Sequence, residues 1–136
     1  MRALACAFTI AIMAACPTQA MDRSLVRQFE KLDPQTRLEQ RCDTEAMERI
    51  GADKNRFKPD KVIAYTFADP VMKGDKMKAT GAVFRSKGDW YKLAFRCKTD
   101  SEHLEVLSFE YKIGERVPRE LGPALSLPLR EPHNLV

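Results

Sequence analysis

Past residue 20, apolar positions recur first at helical spacing and then in alternation. Leu25, Val26, Phe29 and Leu32 share one helical face, with Asp22 or Ser24 placed to cap it. Asp33-Pro34 restarts the pattern, with Asp as N-cap and Pro at the first helical position. Leu38, Cys42, Ala46, Met47 and Ile50 follow at helical spacing, and Gly51 stands where a C-terminal cap belongs. The spacing predicts an amphipathic helix of about four turns, with Cys42 on its apolar face. The opposite face reads Arg37, Gln40, Arg41, Glu45, Glu48 and Arg49, where Arg41–Glu45 and Glu45–Arg49 have the spacing of ordinary exposed ion pairs.

Residues 51–61 are polar and loop-like, and beyond them the period changes to two. Ile63, Tyr65 and Phe67 alternate until Asp69-Pro70 ends the run, and 77–86, 90–98 and 104–113 read as three further strands. Ser86-Lys87-Gly88-Asp89 is a two-residue hairpin turn. It sets Phe84 opposite Tyr91, Ala82 opposite Leu93 and Arg85 opposite Trp90. In the next hairpin, Phe95 against Leu107 also sets Leu93 against Phe109 and Tyr91 against Tyr111. One face then collects Phe84, Tyr91, Leu93, Phe95, Cys97, Leu107, Phe109 and Tyr111, although Glu105 falls beside Cys97. Cys97 points at the helix carrying Cys42. The expected fold is α+β, with two N-terminal helices packed on a four-stranded antiparallel meander. It occupies residues 21–119, and a Pro/Leu-rich tail over 120–136 packs partly on the body and frays beyond about Arg130.

The first twenty residues form a separate unit. Arg2 precedes an uncharged apolar run from Ala3 to Cys16, Pro17 breaks it, and Thr18-Gln19-Ala20 ends in a small residue. The run is too short to span roughly 30 Å of hydrocarbon and reads as a signal peptide cleaved after Ala20. The alternative is a lipoprotein box, Met13-Ala14-Ala15-Cys16, which would lipidate Cys16 and tether the protein to a membrane. Export also makes sense of the cysteines. Two of the four, Cys6 and Cys16, leave with the leader, and Cys42 and Cys97 remain to pair across 55 residues in an oxidising compartment. Such a bridge is worth roughly 4 kcal/mol in the chain-entropy picture. Neither cysteine has a second Cys or a His at ligand spacing, so no metal site and no cofactor is expected.

Composition narrows the function classes. The chain has 136 residues, 44% apolar content and a formal charge of +4, which fits one globular domain. There is no Gly-rich phosphate loop, C-x-x-C, H-E-x-x-H or G-x-S-x-G. His103 lies in a predicted turn near Asp100 and Ser101, where neighbours do not converge like a triad. Glu45 and Glu48 share a helical face, but Arg41 and Arg49 beside them suit an ion-paired surface better than acid–base chemistry. The outer face of the sheet offers more. It carries Arg85, Trp90, Lys92, Arg96, Lys98 and Lys112 with Met77 and Val106, around the small residues Ala79, Gly81, Ala94 and Ser108. This describes a shallow positive trough with Trp90 at one end, suited to an anionic glycan, a lipid headgroup or an acidic peptide. A solvated face, with Lys92–Glu110 as a cross-strand pair, is the other reading.

Several stretches resemble a family of short exported alphaproteobacterial proteins known as domain of unknown function 930. They are Leu32-Asp33-Pro34, the segment from Thr36 to Asp43, Glu45-Ala46-Met47, Ala68-Asp69-Pro70, the segment from Gly81 to Ser86, Trp90-Tyr91, Cys97 and Ile113-Gly114. The resemblance runs over residues 32–119. It implies an exported α+β domain with a paired cysteine, and it implies no activity.

The expected function is an exported, non-catalytic binding or interaction module of the cell envelope, for an anionic component or a protein partner, with Arg85, Trp90, Lys92, Arg96 and Lys98 as the ligand-binding residues. The expected location is the periplasm or the medium. Nucleic acid is not an expected partner, and a membrane is one only if Cys16 carries lipid. The alternatives are a secreted effector or inhibitor acting on another protein through the tail, and an enzyme starting from Glu45, Glu48 or His103. Intact mass of the protein from its native envelope tests the leader. The expected mass begins at Met21 with no free thiol, whereas a lipid-sized excess on Cys16 would establish the tethered form.

Overall fold

The computed structural model describes residues 21–127. Helix α1 (Arg23–Glu30) begins where the Asp22 carboxylate accepts the Ser24 amide at 2.8 Å. Helix α2 (Pro34–Ala52) begins where Asp33 accepts the Thr36 amide at 3.1 Å, and the Thr36 hydrogen bonds hold the Asp33 carboxyl below its usual range. Gly51 does not cap α2; the helix runs through it to an extended Asp53. The last turn is closed instead by side chains. Asn55 Nδ2 donates to the Ile50 carbonyl at 3.0 Å, and the Tyr111 hydroxyl donates to Asp53, so no left-handed glycine is needed.

Five antiparallel strands form one sheet: β1 (Pro59–Ile63), β2 (Val71–Lys73), β3 (Lys76–Ser86), β4 (Asp89–Thr99) and β5 (Val106–Arg116). Four antiparallel strands stand in the expected order as β1-β3-β4-β5, but β1 lies over Pro59–Ile63, mostly in the stretch expected to be loop, and the short β2 is an addition on β3. Leu38, Cys42, Ala46 and Ile50 of α2 pack on Phe84, Leu93, Phe95 and Cys97, and the Cys42–Cys97 disulfide joins helix to sheet with the Cα atoms 6.0 Å apart. Phe57 meets Phe84 and Tyr91 edge-on, closing the core at the end of α2.

The β3–β4 register is the expected one from Ser86↔Asp89 to Ala82↔Leu93. Below it the register shifts between Ala79 and Ala82. This bulge turns Met77 and Ala79 into the core, not outward as the simple alternation implied. The expected β4–β5 register is displaced by four residues: Phe95 faces Tyr111, Leu93 faces Ile113 and Cys97 faces Phe109. An even slip keeps the faces, so Phe109 and Tyr111 still line the core and Glu105 no longer meets Cys97. Leu107 is exposed at a second irregularity, between Val106 and Ser108, and Val106 lies on the core side.

The run 63–67 is not one strand. The chain leaves the sheet after Ile63; Val62 and Ala64 are buried, while Tyr65 and Phe67 are exposed. The polar face of α2 is also not simply solvated. Arg41 and Glu45 are buried, and Arg37 donates to the carbonyls of Phe29, Glu30 and Leu32, stopping α1. The tail has structure as well. Residues 117–127 fold over one end of the outer sheet face through a 3-10 turn (Arg119–Leu121), burying Val117 and Leu127 against Val83 and Trp90. The expectations for the leader, Cys6, Cys16 and the last residues lie outside the described residues.

Gly81 has no room for a side chain: a Cβ there would stand 2.1 Å from the Ala68 amide nitrogen, and the Gly81 carbonyl accepts the Phe67 amide at 2.8 Å. Gly81→Ala is therefore expected to cost about 2–3 kcal/mol in a urea or thermal unfolding measurement, through forced movement of the 64–70 crossing.

Candidate functional site

The outer face of the sheet divides into two halves. At the hairpin end, Val83 and Trp90 are buried with Val117 and Leu127 under residues 117–127. Arg85 belongs to this half. Its guanidinium lies 5.6 Å from the Trp90 ring centroid and makes a two-pronged ion pair with Asp60, at 2.8 and 3.2 Å. Asp89 beside it accepts two hydrogen bonds from Arg119, at 3.0 and 2.9 Å. A recess of about 400 Å³ remains between Lys87, Asp89, Trp90 and Leu127. Trp90 and Arg85 therefore do not form the end of an open trough, because the tail covers that end. Lys92 sits between the halves, its ammonium 5.4 Å from the Phe67 ring centroid. It does not pair with Glu110, which lies opposite Arg96.

The other half is exposed and more cationic than the alternation indicated. The bulge that sends Met77 and Ala79 inward sends Lys76 and Lys78 outward. Antiparallel pairing then builds two rows across the sheet. One runs Lys73, Lys76, Lys98, Ser108, and the other Val71, Lys78, Arg96, Glu110. Neighbouring strands stand about 5 Å apart and successive same-face residues about 7 Å along a strand, so five cations form a two-row grid with Glu110 as its one acid. Lys73↔Lys76, Lys76↔Lys98 and Lys78↔Arg96 are like-charge pairs directly across strands. None of the five makes an ion pair among the described residues. The depression they line is shallow, about 420 Å³, and reaches Lys98 and Ser108. Of the expected binding residues, Arg96 and Lys98 belong to this grid; Lys73, Lys76 and Lys78 were not expected on it. The signal for them was Gly81 inside a strand, where the apolar parity changes from Met77 and Ala79 to Ala82 and Phe84.

A second place, unmarked by any motif, lies between α2 and β1. Asp43 is 7% exposed on α2, and its Oδ1 is buried without a hydrogen-bond partner among the described residues. It lines an open cleft of about 680 Å³ with Glu39, Lys61, Tyr65 and Ser126. Burial, reinforced by Glu39, pushes the Asp43 carboxyl up to about 8, and partial burial raises Glu39 as well.

The remaining titratable candidates are engaged in structure. Glu45 accepts Arg41 Nη2 at 3.0 Å and Arg49 Nε at 2.8 Å through its two oxygens, and Glu48 is exposed. His103 is not a solvated turn residue: its Nδ1–H donates to the Pro34 carbonyl at 2.8 Å, and its Nε2 lies 3.4 Å from Asp75. Among the described residues, no group of three or more His, Cys, Asp or Glu is placed to hold a metal ion. Nor is any helix among them long and apolar enough to cross a membrane.

These features define a small α+β domain, covered by helices on one sheet face and cationic on the other, with one disulfide between its layers. The chain belongs to the family described as Domain of Unknown Function (DUF930), which it matches over residues 29–127. The match includes the segment that covers Trp90. No curated protein and no solved structure matches the chain.

The Asp43 shift has a definite sign. A carboxyl raised from 3.8 in the unfolded chain to about 8 in the folded one favours folding most fully below pH 4, and that contribution is lost as pH rises toward 8. Asp43→Asn is therefore expected to gain stability over the wild type progressively between about pH 4 and 8, read as the difference in denaturation midpoint at each pH.

Proposed function

We propose that the protein is an exported, non-catalytic binding module of the cell envelope, and that the open half of its outer sheet face holds an anionic component. The observation that carries this reading is the grid of like charges. Directly opposed cations in a sheet cost stability, of order 0.2–1 kcal/mol per pair, and a face selected only for solubility would interleave acids. Export rests on the leader-like first twenty residues and on the Cys42–Cys97 pair, which suits an oxidising compartment.

The other readings have less support. A tail-mediated effector would need its leucines outward, whereas among the described residues Leu127 is buried and Leu125 half-buried against the Val83–Trp90 cluster, and Leu121 alone of the three is exposed. Deleting 120–136 would also strip cover from Trp90, so its effect would not be confined to a partner. An enzyme built on Glu45 or His103 would have to release each from the structural bonds described above.

Lys76→Glu tests the reading, because Lys76 faces cations on both sides. The variant is expected to unfold at higher denaturant, by a few tenths to about 1 kcal/mol. At low salt it should bind heparin, as a soluble polyanion, about tenfold more weakly, since reversal removes one attraction and adds one repulsion. Unchanged heparin affinity in the folded variant would end the proposal.

A further inference from the structure

We infer that the anion held by this face is the surface of an anionic lipid bilayer, with Val71 and Leu107 entering the headgroup layer beside the five cations. The inference rests on the anion-binding reading and names its partner. Three features favour a bilayer over a single acidic chain. First, the cations lie in two rows across three strands, around a broad depression of about 420 Å³ and not along the single line that one extended polymer would follow. Second, Val71 is 64% and Leu107 55% exposed. Val71 stands on the Lys78–Arg96 row, and Leu107 adjoins Ser108 at the far side of the grid. Large apolar residues flanking a basic patch combine the two attractions that interfacial binding uses, namely apolar burial at the headgroup boundary and charge attraction to anionic lipid. Third, both flanks lie on strands, β2 and β5, whose adjoining turns are short or tied down. The β2–β3 turn is a hairpin with Gly74 at positive φ, and the Asp100 carboxylate accepts the Leu104 and Glu105 amides at 2.9 and 3.0 Å. Both apolar residues are therefore held in place before contact. No lipid on Cys16 is required, so membrane contact is not restricted to the tethered form considered from the sequence.

Each basic residue at an anionic bilayer contributes roughly fivefold to the partition coefficient, an effect that fades within a Debye length of about 8 Å at physiological salt. The experiment is co-sedimentation of the full protein, as purified from its native envelope, with vesicles of mixed phosphatidylglycerol and phosphatidylcholine, with vesicles of phosphatidylcholine alone, and with heparin binding as the soluble comparison. The expected result is binding to the mixed vesicles only, weakened about fivefold by each of Lys76→Gln and Lys98→Gln and abolished by high salt. Val71→Ser and Leu107→Ser should each weaken vesicle binding several-fold and leave heparin affinity unchanged. Both positions are exposed, so these variants keep the fold, and matching denaturation midpoints verify it. Heparin binding without vesicle binding would overturn the bilayer assignment and leave the anion-binding reading standing. Failure of both would remove both. Equal binding to phosphatidylcholine alone, or vesicle binding indifferent to Val71 and Leu107, would overturn the bilayer assignment.

Discussion

A missing Cβ at Gly81 lets the 64–70 crossing lie against the backbone of β3, where the Ala68 amide nitrogen occupies the space a side chain would need. The contact and the bulge belong together. With Phe67 hydrogen-bonded to the Gly81 carbonyl, one edge of β3 is shared between β1 on its 83–86 half and β2 on its 76–78 half. Side chains on the two halves then face opposite ways for the same sequence parity. Met77 and Ala79 enter the core under α2, and Val83 goes outward to the cluster with Trp90. Lys76 and Lys78 become solvent-facing for the same reason. Core composition and surface charge thus follow from one local constraint.

Helix α2 supplies the second constraint, and it acts on the β4–β5 connection. Arg37 Nη1 donates to the Glu102 carbonyl at 3.1 Å and Arg41 Nε to the Leu104 carbonyl at 2.9 Å. Cys42, the next residue on α2, is bonded to Cys97. Three side chains within two turns of helix therefore hold both the end of β4 and the loop that follows it. His103, at positive φ, adds its bond to the Pro34 carbonyl at the start of the same helix. The loop is thereby kept long, and Phe109, not Glu105, arrives opposite Cys97. Burial of Arg41 and Glu45 follows from this arrangement, because the arginine must reach under the loop.

What could be read from the sequence divides along the same lines. The β3–β4 pairing was legible because a two-residue turn with Gly88 leaves one register for the whole upper hairpin. The caps Asp22 and Asp33 and the Cys42–Cys97 pair were legible because each depends on local chemistry or on a count of cysteines. The β4–β5 register was not, because any even slip preserves the apolar face, and the bonds that choose among slips come from α2, some sixty residues away. Trp90 looked like an open binding residue because alternation places it outward, and nothing in alternation says that Leu127 returns to cover it. Lys76 and Lys78 went unnoticed because simple alternation puts Met77 and Ala79 on the outer face, and the bulge reverses that order and makes the two lysines the centre of the cationic grid. Asp43 escaped notice because a single acid among Leu38, Cys42 and Ala46 carries no motif, only a cost of burial.

The cation grid and the disulfide occupy adjacent rungs of the sheet, which bears on how the grid can exist. Met77 pairs with Cys97, and the like-charge pairs Lys76↔Lys98 and Lys78↔Arg96 are the rungs immediately on either side. Repulsion across the outer face therefore acts where the inner face is covalently joined to α2. Three opposed pairs at about 0.2–1 kcal/mol each are of the same order as a bridge worth typically 2–4 kcal/mol, and two of the three lie on the rungs beside it. Without it, the cheapest relief would be fraying of β2 and the lower half of β3, where β2 pairs over only three residues. That end of the sheet is also where Asp75 holds Thr99: the Thr99 amide donates to the Asp75 carbonyl at 2.9 Å, closing the β2–β3 turn onto β4. A charged face of this kind can be kept rigid only if the layer beneath it is pinned. The disulfide, the Arg41 anchor and the Asp75–Thr99 bond are all placed to do that.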